Sequence, residues 1–403
     1  MTAARRCPAD EHLRARGRTP RVALIPKNPL SLRASAVLYN SSVMLTIGDL
    51  IASWEGLAVV ARFDAATGTW IFICLHDNTL GASTGGSRMA IYPTPADGLL
   101  DAMRLSEGMT SKWAAVDLPF GGGKAVLALE RTLNDKERAA LLGRYGQLVE
   151  SLRGAFRTGE DLGTSSQDML LISKHTQYVH GFDPRGKKLD PSPFTAHGVA
   201  SGLRAALAVA FGTPSVEQRT VLIEGVGNVG GRLADQLAAE GASLLLADLD
   251  HVRAQEMAER LKATAVPLAE VPSTPCDVYA PCAIGATVNE ETIPHLACQI
   301  IAGSANNQLR DSADAERLRQ RGILYVPDFI INAGGAMAFA EMDRGLTDRE
   351  EILSRVAEIG TTSQDLLVEA AEKGETTLAA ARRRVEATLA RARASRQDEV
   401  ASV

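Results

Sequence analysis

Two lysines and an aspartate carry the densest chemistry in this 403-residue chain. Lys112 closes the run Gly108-Met-Thr-Ser-Lys112, and Lys124 follows twelve residues later, directly behind Gly121-Gly122-Gly123. Three successive glycines put no side chain between a ligand and the backbone and permit positive φ. A lysine pressed into such a site, near a second ammonium, is driven toward its neutral form, which suits a general base. The other lysine, left charged, can hold a carboxylate. Asp161, within Thr158-Gly159-Glu160-Asp161-Leu162-Gly163-Thr164, adds a carboxylate on a Gly-flanked loop, a common carrier for proton transfer. Taken singly these residues are ordinary, because most lysines are solvated and an aspartate between glycines is usually a turn residue. Their motif context carries the reading.

A second motif supplies a cofactor site. Val221-Leu-Ile-Glu runs into Gly225-Val226-Gly227-Asn228-Val229-Gly230, and helical text follows from Arg232 to Glu240 with Gly241 closing it. In a strand–turn–helix context the first glycine makes the tight turn and the second lets backbone approach a pyrophosphate. The third lets helix and strand pack closely. Asp248 ends the next apolar run, 18 residues after Gly230. A carboxylate there can accept from a ribose 2′-hydroxyl and repels a 2′-phosphate, so NAD is favoured. His251 and Arg253 lie close by and leave some use of NADP open.

The elements that must position these groups fall into two blocks, as length alone suggests. Val59–Phe63 and Trp70–His76 read as a hairpin joined by Asp64–Gly68, followed by a Gly-rich loop from Gly81 to Gly86. Thr94-Pro95-Ala96-Asp97 announces a helix to about Ser111. Ala125–Leu129 reads as a strand and Asp135 to about Arg153 as a helix with Leu141, Leu142, Tyr145 and Leu148 on one face. Gly181–Pro193, rich in Gly, Pro, Asp and Lys, is the expected junction. Beyond it Thr220–Glu224, Ser243–Asp248, Val278–Ala280, Ile300–Ala302 and Leu324–Pro327 alternate with helical text, which predicts a parallel sheet covered on both faces. Arg349–Ser395 reads as helical, with Leu378, Val385, Leu389 and Ala392 as its apolar stripe. The fold class expected is therefore α/β. A substrate domain over residues 44–185 and a dinucleotide-binding domain over 186–345 form a cleft, and a helical segment over 346–403 packs back across both.

Bulk properties narrow the partners. A net charge of −5 with a pI near 5.9, without concentrated positive charge over the body of the chain, argues against nucleic acid and for small molecules. Cys7, Cys74, Cys276, Cys282 and Cys298 are odd in number and scattered, with no C-x-x-C pair, and no H-E-x-x-H spacing occurs, so no metal site is expected. No apolar run approaches the ~18 residues that span a bilayer. The setting expected is soluble and cytoplasmic, with reduced thiols. Residues 1–43, rich in Arg and broken by Pro8, Pro20, Pro26 and Pro29, read as a disordered extension or as text upstream of a start at Met44.

In its ordered motifs the chain resembles the Glu/Leu/Phe/Val dehydrogenase family, in particular its leucine/phenylalanine branch, from about Met44 to about Gly345. The matching segments are Gly85-Gly86-Ser-Arg88-Met, Gly108-Met-Thr-Ser-Lys112, Gly121-Gly-Gly-Lys124, Glu160-Asp161-Leu-Gly163-Thr164, Pro191-Ser-Pro-Phe-Thr195-Ala, Gly225 to Gly230, Ala280-Pro-Cys-Ala-Ile-Gly285, Gly303-Ser-Ala-Asn306-Asn307 and Asn332-Ala-Gly334-Gly335. The resemblance implies NAD-dependent oxidative deamination of an L-amino acid to a 2-oxo acid and ammonium. It implies that Lys112 holds the substrate α-carboxylate, that Lys124 is the base that activates water, and that Asp161 exchanges protons with the substrate amine. Thr195 would meet the nicotinamide carboxamide, and either Asn306 or Asn307 would border nicotinamide and substrate.

The positions resembling the side-chain pocket are Thr84, next to Gly85, with Gly159, Ala336 and Phe339. Glutamate members place a lysine where Thr84 stands, so an apolar substrate is expected, branched or aromatic. Gly159 makes room for a ring and Phe339 takes room away. A homo-oligomer is also implied. Two rivals stand beside this reading. One is a 2-hydroxy-acid oxidoreductase, which needs a His–carboxylate pair and an arginine clamp that Arg88 and His197 do not supply in a comparable setting. The other is a non-catalytic NAD-binding relative, which loss of Lys124 or Asp161 would have marked.

Overall fold

The computed structural model describes residues 47–182 and 189–401, with side chains through residue 397. The amino-terminal extension, Cys7 and the centre of the expected junction lie outside the described residues.

The first block is a five-stranded sheet of β1 (Ala58–Asp64), β2 (Thr69–Asp77), β3 (Ser83–Ile91), β4 (Gly121–Leu129) and β5 (Phe156–Glu160), in the order β1-β2-β4-β3-β5. Around it lie α1 (Ile47–Ser53), α2 (Pro95–Ala115), α3 (Asp135–Ser151) and α4 (Ser166–Ser173). The hairpin β1–β2 turns at Gly68, whose φ is +70°. Strand alternation sorts the core. Ile71, Ile73 and Leu75 pack with Leu141, Leu142 and Tyr145 of α3, while Phe72 and Cys74 pack with Leu99 and Met103 of α2. The Thr94/Asp97 capping box is present, and α2 continues past Ser111 to Ala115, so Lys112 lies inside its last turn.

Two local expectations are overturned. The expected Gly-rich loop, Gly81–Gly86, is mostly strand: from Ser83 the chain is β3, parallel to β4 on one side and to β5 on the other. Glycine is a weak strand former, but pairing on both flanks overrides that preference. Likewise Gly121–Gly123 belong to β4, and none has positive φ. Their smallness serves close approach instead. A Cβ on Gly122 would overlap Thr110 Oγ1 and lie 2.5 Å from the Ser106 carbonyl oxygen, so α2 rests directly on the strand backbone. Gly122→Ala is therefore expected to cost about 1–3 kcal/mol or more. Chemical denaturation would read the loss. An unchanged midpoint would contradict this packing role.

The second block is a six-stranded, fully parallel sheet of β6 (Thr220–Glu224), β7 (Ser243–Ala247), β8 (Thr264–Ala265), β9 (Val278–Pro281), β10 (Ile300–Ile301) and β11 (Leu324–Tyr325), in the order β11-β10-β9-β6-β7-β8. The remaining helices are α5 (Ser192–Phe211), α6 (Asn228–Ala239), α7 (His251–Leu261), α8 (Ala313–Gln320), α9 (Asp328–Ile331), α10 (Gly334–Asp343), α11 (Arg349–Lys373) and α12 (Thr377–Ala401). The sheet is covered on both faces: Val221 and Ile223 enter one core with α5 and α6, and Leu222 enters another with Leu318 of α8. By length and hydropathy α5 is apolar enough to cross a membrane, contrary to the sequence count. More than half of it is buried, and Gly198, Gly202 and Ser201 let α9 and α11 lie close against it. It reads as a core helix.

The carboxyl-terminal segment is two helices, not one, because Gly374 ends α11 in the left-handed conformation at φ +63°. Then α12 returns to the first block, burying Leu378 and Val385 and donating from Arg384 to Ala115 O at 3.0 Å and to Asp117 Oδ2 at 2.7 Å.

Candidate active site

β3 separates the two strands that carry the central pair. Lys124, on β4, reaches across it to Asp161, which follows β5, with Nζ 2.5 Å from Oδ2. Gly86 makes this possible: a Cβ there would stand 2.9 Å from the Asp161 Cβ and 2.7 Å from Glu160 O. Lys124 is 6% exposed. The sequence reading set Lys124 against a second ammonium; in the structure its direct partner is a carboxylate.

Arg88 Nε stands 3.5 Å from the same Asp161 oxygen, and its NH1 donates to Asp101 Oδ2 at 2.9 Å. Tyr92 and Arg104 also donate to Asp101, at 2.8 Å each. Burial alone would raise Asp161, but the Lys124 and Arg88 charges outweigh it and hold the carboxyl down at about 2. Beneath this pair a buried hydroxyl cluster of Ser87, Tyr145 and Thr158 ties β3, α3 and β5 together. Thr164 Oγ1 donates to Ser87 O at 2.8 Å and accepts from Asp161 N at 2.9 Å, fixing the loop that presents the carboxylate.

Lys112 projects from the last turn of α2 to the second block, donating to Asn306 Oδ1 at 3.4 Å. Asn306 Oδ1 also accepts from Asn332 Nδ2 at 2.8 Å. Asn307, by contrast, sits in the left-handed region at φ +51°, and its carbonyl accepts from Ala286 N at 2.7 Å. Of the two asparagines, Asn306 is the one whose side chain meets Lys112. Burial, together with the nearby Lys124 charge, brings Lys112 down to about 8 against the opposing pull of Asp328 and Asp161. Asp328 accepts from Gln308 N at 3.1 Å, and burial raises its carboxyl.

The expected side-chain positions lie on both blocks. Thr84 is buried on β3; its hydroxyl donates to Ala82 O at 3.2 Å and its carbonyl accepts from Trp113 Nε1 at 3.0 Å. Gly85 is pressed against Gly123, where any Cβ would overlap the carbonyl oxygen. Gly159, paired with Gly86, has open space where a side chain would stand, with only the His180 Cβ near, at 3.9 Å. Ala336 and Phe339 are half-buried on α10. Thr195 lies in the first turn of α5, close enough to Gly335 that a Cβ there would be 2.6 Å from its Oγ1.

The glycine loop fits a dinucleotide. Gly225 ends β6 at φ +95°, and a Cβ on Gly230 would overlap the Gly225 carbonyl oxygen. Gly227, at the cap of α6, has nothing within 4 Å of where its Cβ would be, so its outer side is free for a phosphate, facing the amino-terminal N–H groups through Asn228 and Val229. Asp248 Oδ2 accepts from Val226 N at 2.8 Å and Oδ1 from Asp250 N at 2.9 Å, so its carboxylate is held at the loop's edge. The cap of α7 is Asp250, which leaves Asp248 free of that duty.

Sequence reasoning gave no role to Arg88's hold on Asp161, to Asp328, to Asn332 or to the contact between His180 and Asp343. Arg88 and Asn332 carried a signal, as members of matched motifs in which neither was assigned a role.

Comparison with known proteins agrees with this geometry. Residues 63–178 match a family model described as Glu/Leu/Phe/Val dehydrogenase, dimerisation domain, and residues 244–397 match one described as Glutamate/Leucine/Phenylalanine/Valine dehydrogenase. The chain is 40% identical to a leucine dehydrogenase of Bacillus cereus, over 87% of this chain and 96% of that one. It is 38% identical to a phenylalanine dehydrogenase of Lysinibacillus sphaericus, over 81% of this chain and 86% of that one. The crystal structure of L-tryptophan dehydrogenase from Nostoc punctiforme superposes with a TM-score of 0.74 at 34% identity, covering 86% of this chain and 99% of that one. With matched motifs, matched fold and relatives this similar across most of its length, the chain belongs to the Glu/Leu/Phe/Val dehydrogenase family of amino-acid dehydrogenases.

Proposed function

We propose that the protein catalyses the reversible, NAD-dependent oxidative deamination of an apolar L-amino acid, giving the 2-oxo acid and ammonium. The observation that carries this is the buried Lys124–Asp161 pair, with Lys112 close enough to feel both charges. Bound NAD, held by the Gly225–Gly230 loop and Asp248, would supply the acceptor for a hydride from the substrate Cα. Lys112 pairs with the α-carboxylate, and Asn306 borders the same place. The substrate amine takes up position beside Asp161. A third cation next to Lys124 and Arg88 is repelled by both, which favours release of a proton from the set. Asp161 takes a proton from the substrate ammonium before the hydride leaves Cα. Lys124, once neutral, removes a proton from the water that attacks the oxidised Cα, and Asp161 then returns its proton to the departing ammonia. Asp248 would accept from the adenosine ribose and disfavour a 2′-phosphate. Thr195 is assigned to the carboxamide.

The pocket reading follows from the absence of charge at Thr84, Gly159, Ala336 and Phe339, since an unpaired charge buried there is costly. A homo-oligomeric, cytoplasmic enzyme goes with this proposal; one matched family model is described as a dimerisation domain. The test is whether oxidation of NADH by a branched or aromatic 2-oxo acid requires ammonium. Turnover without ammonium would replace the reading with 2-hydroxy-acid chemistry.

The Lys112 assignment predicts a pH dependence of its own. A lysine brought down to about 8 is charged below that pH and loses its ammonium above it. KM for the amino acid is therefore expected to climb as pH rises from about 7 to about 10. A flat KM across that range would remove Lys112 from carboxylate binding.

A further inference from the structure

His180 follows α4 and is held by its own backbone: its N–H donates to Thr158 O at 2.8 Å, and Val179 bridges Thr158. This sets its side chain beside the open space over Gly159. The residue is 7% exposed. Nδ1 meets the carboxylate of Asp343, which stands one turn beyond Phe339 on α10. The Phe120 ring meets the imidazole edge to face, with centroids 6.1 Å apart. Nε2 is enclosed and has no hydrogen-bond partner. A polar group supplied by both blocks thus sits in an apolar wall, and the proposed chemistry does not use it.

In the neutral ring the carboxylate fixes what Nε2 offers. A neutral imidazole has one N–H and one lone pair. With Asp343 accepting from Nδ1–H, the lone pair lies on Nε2. A buried acceptor left without a donor is unfavourable, and a ligand that supplies one removes the deficit. The Thr84 hydroxyl spends its one proton on Ala82 O, so it does not supply the missing donor.

We propose that His180 is a specificity-determining residue whose Nε2 accepts a hydrogen bond from the ring donor of an aromatic L-amino acid, an indole N–H or a phenol O–H. This rests on the amino-acid dehydrogenase reading above and names the substrate class of its side-chain pocket. Gly159 and Ala336 leave volume for a ring, and Phe120 supplies an aromatic neighbour.

The test is kcat/KM for L-tryptophan, L-tyrosine, L-phenylalanine and L-leucine in the full-length enzyme and in H180L, H180Q and D343N. The wild type should favour tryptophan or tyrosine over phenylalanine. H180L should lower that ratio about tenfold, the worth of one hydrogen bond. H180Q, whose amide oxygen still accepts, should recover part of it. D343N can donate to Nδ1 and so move the ring proton to Nε2, which should lower the same ratio. If H180L does not fold, the H180Q and D343N ratios decide. A wild type that prefers leucine or phenylalanine, or ratios unchanged within about twofold in the variants, would overturn the assignment. Loss of that preference with ammonium-linked turnover intact defeats only the His180 role, whereas no turnover of any amino acid defeats the reading beneath it.

Discussion

Lys124→Ala is expected to lower kcat for deamination by about 10²–10⁴-fold while leaving dinucleotide binding nearly intact. The separation follows from geometry. Lys124 stands on β4 in the first block, paired with Asp161, whereas the loop that fits a pyrophosphate, Gly225 to Gly230, belongs to the second. Steady-state rates together with a direct titration of the cofactor would read the two effects independently. Near-native turnover in the variant would remove Lys124 from the chemistry. Parallel loss of cofactor binding would mean that the lysine holds the two blocks in register instead of acting on substrate.

Asp161→Asn should cost nearly as much in kcat, for a different reason, and should also cost stability. The amide cannot take up a proton, so exchange with the substrate amine is lost, a contribution of about 10²–10⁴-fold. The substitution also leaves the enclosed Lys124 and Arg88 without their shared counter-ion, which is worth up to about 3 kcal/mol for a partly buried set. The sign of the pH effect is fixed by the direction of the shift. Asp161 is held at about 2, below its ordinary 3.8. Its stabilisation is therefore complete above the ordinary value and disappears as pH falls through the folded one. The stability gap between wild type and variant should be full at neutral pH and close as pH approaches 2. A gap that persists unchanged in acid would mean the aspartate stabilises by packing alone.

How much of this was legible in the sequence depended on how local each signal was. The cap at Thr94 and Asp97 needs four consecutive residues, and it came out as read. Gly225, Gly227 and Gly230 each have a separate use for lacking a side chain: the structure gives Gly225 a positive φ and presses Gly230 against the Gly225 carbonyl, and it leaves open space beside Gly227. The grouping of Lys112, Lys124 and Asp161 came from motif context and from family resemblance; spacing alone would not have paired Lys124 with Asp161 across β3. The glycine-rich text at Gly81–Gly86 and Gly121–Gly123 misled, because local propensity says loop while pairing on both flanks imposes strand. Two-residue strands such as β8 are too short to show a period. Arg88, Asp328 and His180 act through partners remote in sequence, and no spacing rule reaches that far.

Everything rests on an amine and a carboxylate from the first block meeting the nicotinamide ring carried by the second. The most direct measurement is a structure of the complex with NAD and an unreactive analogue of an apolar amino acid. The account predicts Lys124 Nζ and the Asp161 carboxylate within hydrogen-bond reach, about 3 Å, of the substituents on the analogue's Cα, with Lys112 on its carboxylate. A complex in which either Lys124 or Asp161 faces solvent, away from the ring, would contradict it.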